Sequence, residues 1–172
     1  RDPRWGRTEE GYGEDPFLIG EMTTAYTQGM AGAHPTYRRV IPTLKHFCAN
    51  NNEKERNSCS SNVTPRTLRE YYYRAFEASI VRGGTGSMMT AYNELNGVPA
   101  CMNPDLKTLV KKQWGLEFIV TDGADFSQNV LAHHSHATHA EALAACLKNG
   151  NDVMTDEADM VAAAARDALD RG

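Results

Sequence analysis

A parallel α/β architecture, about half of a (β/α)₈ barrel, is what this 172-residue sequence predicts, and three observations carry the prediction. Short apolar, β-rich runs alternate with segments of helical spacing, and neighbouring parallel strands need such crossovers. Polar residues collect where the strands end: Lys45 and His46, Tyr92 and Asn93, Asp122, and Thr155 with Asp156. That carboxyl-end rim builds the active site of a barrel, and an open α/β sheet also binds ligands there. Only about four strands are present, whereas a whole barrel takes eight and roughly 250 residues. Residues 1–172 therefore read as one piece of a larger domain.

The elements follow in order. Asp15-Pro16 opens a helix with Leu18, Met22 and Tyr26 on one side. Val40 to Phe47 is the first strand, running into a polar loop. Thr64 suits an N-cap and Pro65 the first helical position. The helix they start carries Leu68, Tyr72, Phe76 and Ile80 at helical spacing and stops at Gly83-Gly84. Ser87 to Tyr92 is the second strand. Asn103-Pro104-Asp105 then opens a helix with Leu106, Leu109 and Val110 on one side, ending near Trp114-Gly115. Phe118 to Asp122 is the third strand, bounded by Gly123. A helix from Ala140 to Leu147 ends at Asn149-Gly150, Asp152 to Thr155 is the fourth strand, and Ala158 to Leu169 is a last, Ala-rich helix.

Composition narrows the function classes. With 41% hydrophobic and 23% charged residues the chain is an ordinary globular protein. A net charge of −4 and a pI near 5.9 leave no basic stripe for phosphates, so nucleic acid is not expected as a partner. No apolar run approaches the roughly 20 residues needed to span a bilayer, so no membrane is expected either. Cys48, Cys59, Cys101 and Cys146 form no C-x-x-C pair, which indicates neither a disulfide framework nor a zinc ribbon, and reduced thiols are the plain expectation. The first residues carry neither Met nor a signal-peptide pattern, which leaves the compartment open.

Asp122, ending a buried apolar strand, is the first candidate for chemistry; a turn cap before Gly123 is the competing reading, at even weight. Acid–base work on a glycosidic bond would need a second carboxylate. Glu53, Glu55, Glu94 and Asp125 are candidates, each more simply read as a solvated loop charge. Lys45 and His46, with Arg7 and Arg56, could bind sugar hydroxyls, or equally a phosphate or carboxylate. Met89 and Tyr92 could supply an apolar wall or simply belong to the core. The cluster His133-His134-Ser135-His136-Ala137-Thr138-His139 fits no zinc spacing and reads as a surface or mouth loop with charge responsive near pH 6. Gly83 to Gly86 lacks the Gly-Lys-Ser/Thr of a phosphate loop, and no Gly-x-Ser-x-Gly elbow is present.

Taken together, the motifs resemble glycoside hydrolase family 3. The carriers are Arg1 to Arg7 with Glu14-Asp15-Pro16, Lys45-His46-Phe47, Met89-Thr90-Ala91-Tyr92-Asn93 with Asn96-Gly97, Trp114-Gly115, and Val120-Thr121-Asp122, in the family's order. The resemblance implies a retaining exo-β-glycosidase of β-glucosidase type, with Asp122 as nucleophile and a β-linked glycoside as substrate; a non-catalytic sugar-binding relative is the alternative. It implies Arg7, Lys45, His46 and Arg56 as hydroxyl-binding residues, Tyr92 beside the nucleophile and Met89 in the same pocket. No metal or organic cofactor is implied, and the acid/base is expected from a downstream α/β sandwich domain. Two departures bear on substrate. Gly123 stands where the β-glucosidase branch usually has Trp, which leaves room for xylose or a modified sugar. Cys48-Ala49-Asn50-Asn51-Asn52-Glu53 replaces the Pro-Gly-rich loop of the β-N-acetylglucosaminidase branch.

Overall fold

The structure is a computed structural model that describes residues 5–50 and 52–172. Arg1 to Arg4 of the opening motif, and Asn51, lie outside the described residues. The chain first forms a helix, α1 (Pro16–Ala31), with Pro16 in its first turn and the Asp15 carboxylate accepting the Phe17 N–H at 2.9 Å. Strand β1 (Thr43–Phe47) follows, and the Lys45–His46 and Phe47–Cys48 peptides at its end are cis.

A two-residue strand, β2 (Ser60–Ser61), precedes a long helical segment. Thr64 caps it by accepting the Thr67 N–H at 3.1 Å. The segment is a single expected helix that the structure divides into α2 (Pro65–Thr67), a π-helical stretch at Leu68–Tyr72, and α3 (Arg74–Arg82). The widened turn, marked by the Tyr73 N–H donating to the Leu68 carbonyl, sets Tyr73 into the core with 1% of its surface exposed. Apolar spacing averages over such a turn, which is why the sequence shows one helix.

Next come β3 (Ser87–Thr90) and a small hairpin of β4 (Glu94–Leu95) and β5 (Val98–Pro99). The helix expected after Asn103 is a π-helical stretch, Leu106–Lys111, in front of β6 (Phe118–Val120). Three further helices complete the chain: α4 (Asp125–Leu131), α5 (His139–Lys148) and α6 (Ala158–Arg171). α5 begins with a capping box in which Thr138 and Glu141 satisfy each other's backbone N–H groups.

The main sheet is parallel, in the order β1-β3-β6. A parallel bridge from Val120 to Val153 adds the fourth position, where a full strand was expected and a single bridge is found. With helices between its strands, this is the α/β, partial-barrel architecture the alternation predicts. The hairpin with β2 makes a separate three-stranded sheet at the strand ends, and neither it nor α4 was expected.

One core cluster lies between the main sheet and its helices. There Phe47, fully buried, stacks on Tyr73 and meets Phe76 and Trp114 edge-on. A second cluster joins α4, α5 and α6 through Phe126, Leu143, Cys146 and Ala164, with Cys101 and Met102 packed in. α1 packs on α3 through small residues. Thr27 donates to the Gly83 carbonyl at 2.8 Å, and Thr27, Ser79 and Thr85 form a buried hydroxyl chain. Each hydroxyl in that chain is satisfied, so its burial is tolerated.

Candidate active site

The carboxyl ends of β1, β3 and β6 bring the sequence-predicted residues to one rim. Asp122 sits two residues beyond β6, with 17% of its side chain exposed. Its Oδ2 lies 3.1 Å from His46 Nε2, and its Oδ1 accepts the Gly123 N–H at 2.8 Å. Burial pulls the Asp122 carboxyl upward. The hydrogen bonds from His46 and Gly123, with the charges of His46 and Arg7, outweigh it and hold the group below the usual carboxylate range. Asp122 is thus an ionised carboxylate whose two oxygens each accept one bond from the protein and keep a free lone pair.

His46 comes from the end of β1 and is 7% exposed; its neighbour Lys45 turns outward. Lys45 Nζ lies 2.8 Å from the Glu10 carboxylate. Arg7 grips the same carboxylate through Nε at 2.6 Å and Nη2 at 2.9 Å. Glu10 is therefore the hub that joins Arg7 to Lys45, and the Arg7 charge acts on Asp122. The Arg7 hydrogen bond, then that from Lys45, bring its carboxyl down to about 2. Sequence reasoning missed Glu10; the signal available was its placement three residues after Arg7.

Tyr92 follows β3 and donates its hydroxyl to the Gly123 carbonyl at 2.7 Å, so its ring stands beside Asp122. Arg56 lies over that ring, 5.0 Å from its centre, and pairs with Glu53 at 3.2 Å. Met89 is half-buried on β3, with its neighbour Met88 fully buried on the helix side, so alternation turns Met89 to the opposite face of the sheet. A cavity of about 160 Å³ opens behind Lys45 and His46, between α1, α3 and β1, and Asp122 is not among its lining residues. The carboxylate faces the open rim instead.

The second-carboxylate candidates scatter. Glu53 is held by Arg56, and Glu55 is exposed on a backbone with φ of 57°. Glu94 lies 3.5 Å from His133 Nδ1. Asp125, read from sequence as a loop charge, is 1% exposed at the start of α4 and accepts the Thr90 hydroxyl at 2.6 Å. Burial, with the charges of Asp122 and Asp156 adding to it against the Thr90 bond, raises its carboxyl to about 8. A group so enclosed stays neutral at pH 7 and supports the strand end.

The histidine cluster also divides, which corrects its reading as one surface or mouth loop. His134 contacts the Val130 carbonyl and His136 the Ser135 hydroxyl, but the His133 side chain is buried and reaches the Tyr92 carbonyl, while His139 packs on Phe126. Among the described residues, no three His, Cys, Asp or Glu side chains gather as metal ligands. No helix among them is long and apolar enough to cross a membrane.

Known proteins resemble this chain in sequence and fold. The β-xylosidase of Formosa agariphila is 37% identical over 158 residues, covering 88% of this chain and 22% of that protein. The probable β-glucosidase J of Aspergillus fumigatus is 40% identical over 118 residues, covering 68% of this chain and 13% of that protein. The solved structure of the exo-β-xylosidase XlnD with a xylobiose aziridine probe superimposes at a TM-score of 0.93, with 26% identity over 100% of this chain and 23% of that one. A β-glucosidase from Erythrobacter marinus superimposes at 0.90, with 28% identity over 99% of this chain and 23% of its own. The chain thus spans about a fifth to a quarter of most of these relatives. The family model for the glycosyl hydrolase family 3 N terminal domain matches residues 1–172, and the chain belongs to that family.

Proposed function

We propose that the protein carrying this chain removes terminal non-reducing β-D-glucosyl residues from β-linked glycosides, with retention at the anomeric carbon. The observation that carries the reading is the ionised Asp122 carboxylate, held by His46 and the Gly123 N–H on the strand-end rim. An Asp122 oxygen attacks the anomeric carbon as the glycosidic C–O bond breaks, and an acid outside this chain protonates the departing oxygen. The same acid, now a base, takes a proton from water, which releases the sugar and restores Asp122. Retention requires the two carboxyl groups about 5–5.5 Å apart in the assembled enzyme. Arg7, Lys45 and Arg56 supply the donors that fix the sugar hydroxyls, with Tyr92 and Met89 as walls; the acid belongs to a downstream domain.

Gly123 favours a second reading. Among the described residues, a Cβ built there meets only the Tyr92 hydroxyl, at 4.0 Å, so the space beside Gly123 is open. That openness suits a β-xyloside as well as a β-glucoside, and relatives of both names are found. In the full-length enzyme, Asp122→Asn should abolish turnover while leaving the melting temperature within a few degrees. A 2-deoxy-2-fluoroglycosyl fluoride should label Asp122 in the unmodified enzyme. Near-normal turnover by the variant, or a label elsewhere, removes Asp122 from the mechanism. Paired assays on aryl β-glucoside and aryl β-xyloside then decide the sugar.

A further inference from the structure

His133 closes a circuit around the nucleophile. From Asp122 the chain runs through α4 to His133, whose own N–H donates to the Gln128 carbonyl at 2.8 Å. The imidazole is 1% exposed and its Nε2 lies 2.8 Å from the Tyr92 carbonyl oxygen. A carbonyl only accepts, so Nε2 carries the hydrogen. On the other side Nδ1 faces Glu94 Oε1 at 3.5 Å, within ion-pair range and beyond a good hydrogen bond. Glu94 is itself anchored in β4, its N–H donating to the Cys59 carbonyl at 2.9 Å. Tyr92, one end of that turn, reaches back to the Gly123 carbonyl at 2.7 Å. The path Asp122, α4, His133, Tyr92, Gly123 is therefore a closed ring of bonds.

We propose that His133 is a positioning residue: by holding the Tyr92–Glu94 turn it keeps the Tyr92 hydroxyl on the Gly123 carbonyl, and so keeps the Asp122 carboxylate aimed at the anomeric carbon. This rests on Asp122 acting as nucleophile. The bond ties the segment after α4 to the backbone that follows β3, so it fixes the Tyr92 main chain and not the imidazole alone. A misplacement of about 1 Å at a reacting group reduces rate about 100-fold, so a slackened turn should show in turnover.

The test uses the full-length enzyme with His133→Asn, His133→Gln, Tyr92→Phe and the double variant His133→Asn/Tyr92→Phe. The Gln amide nitrogen reaches the place of Nε2 and keeps the donor to Tyr92; the shorter Asn amide does not. His133→Asn should lower kcat on an aryl β-glycoside about 10- to 100-fold with KM changed less than about threefold. His133→Gln should recover to within about fivefold of the unmodified enzyme, at the same melting temperature as His133→Asn. Tyr92→Phe should lower kcat in the same way, and the double variant should fall no lower than the worse single one, because both act through one contact. Unchanged kcat in His133→Asn or in Tyr92→Phe overturns the proposal. So does a Gln variant as defective as the Asn variant. If the unmodified enzyme takes up fluorosugar at Asp122 while these variants behave normally, the positioning role alone is lost. If it is neither labelled nor active, the functional reading is lost with it.

Discussion

Asp125→Asn is the substitution whose effect follows most directly from the structure. The Asp125 carboxyl is 1% exposed, accepts the Thr90 hydroxyl at 2.6 Å, and has its ionisation raised to about 8 by burial and by the charges of Asp122 and Asp156. In the unfolded chain it titrates near 3.9. Between those values the folded protein holds a proton that the unfolded chain has released, so folding weakens as pH rises. The contribution is complete below the unfolded value and is gone once pH passes the folded one. The slope over that window is about 1.4 kcal/mol per pH unit. From pH 5 to pH 7 the unmodified protein should therefore lose about 3 kcal/mol through this group. Asn keeps an oxygen for Thr90 but cannot ionise. Denaturant titrations of the full-length protein and of Asp125→Asn at pH 5, 6 and 7 should show the variant gaining on the unmodified protein by about that amount. Parallel stability curves would refute the reasoning, since they would mean that Asp125 is already ionised, or solvated, in the folded state.

Two packing predictions accompany it. Phe47→Ala empties a fully buried site bounded by the rings of Tyr73, Phe76 and Trp114, and should cost about 3–5 kcal/mol by chemical denaturation. Gly83→Ala would set a methyl 2.6 Å from the Ser79 carbonyl oxygen, 2.8 Å from Thr27 Oγ1 and 3.0 Å from the Thr24 Cα. The obstacle is mostly backbone, so α1 must move off α3, at a cost of about 1–3 kcal/mol read as a lowered melting temperature.

Much of the framework was legible because it is written in local signals. Alternation of β-rich and helical runs announced the parallel sheet, and its strand positions were found in order at β1, β3, β6 and Val153. Asp15-Pro16 and Thr64-Pro65 named two helix starts because a capping oxygen and a proline in the first turn act within a few residues. Strand ends carrying Lys45, His46, Tyr92 and Asp122 located the rim, since side chains at the same end of adjacent parallel strands must meet. The π-helical turns at Leu68–Tyr72 and Leu106–Lys111 were not visible, because one extra residue per turn hardly disturbs apolar spacing. α4 was hidden for a related reason: its seven residues include buried Asp125, Ser127 and Asn129, which read as loop polarity.

By itself the sequence determined the fold class, the order of the main-sheet strands and the rim on which Asp122 stands, all consequences of short-range chain chemistry. Only the tertiary structure decided which charges serve that residue. Glu10 gathering Arg7 with Lys45, Asp125 withdrawn onto Thr90, and His133 turned inward to Tyr92 join residues from separate βα units. Hydrogen-bond direction and burial, which set those roles, exist only after the strands have been brought side by side.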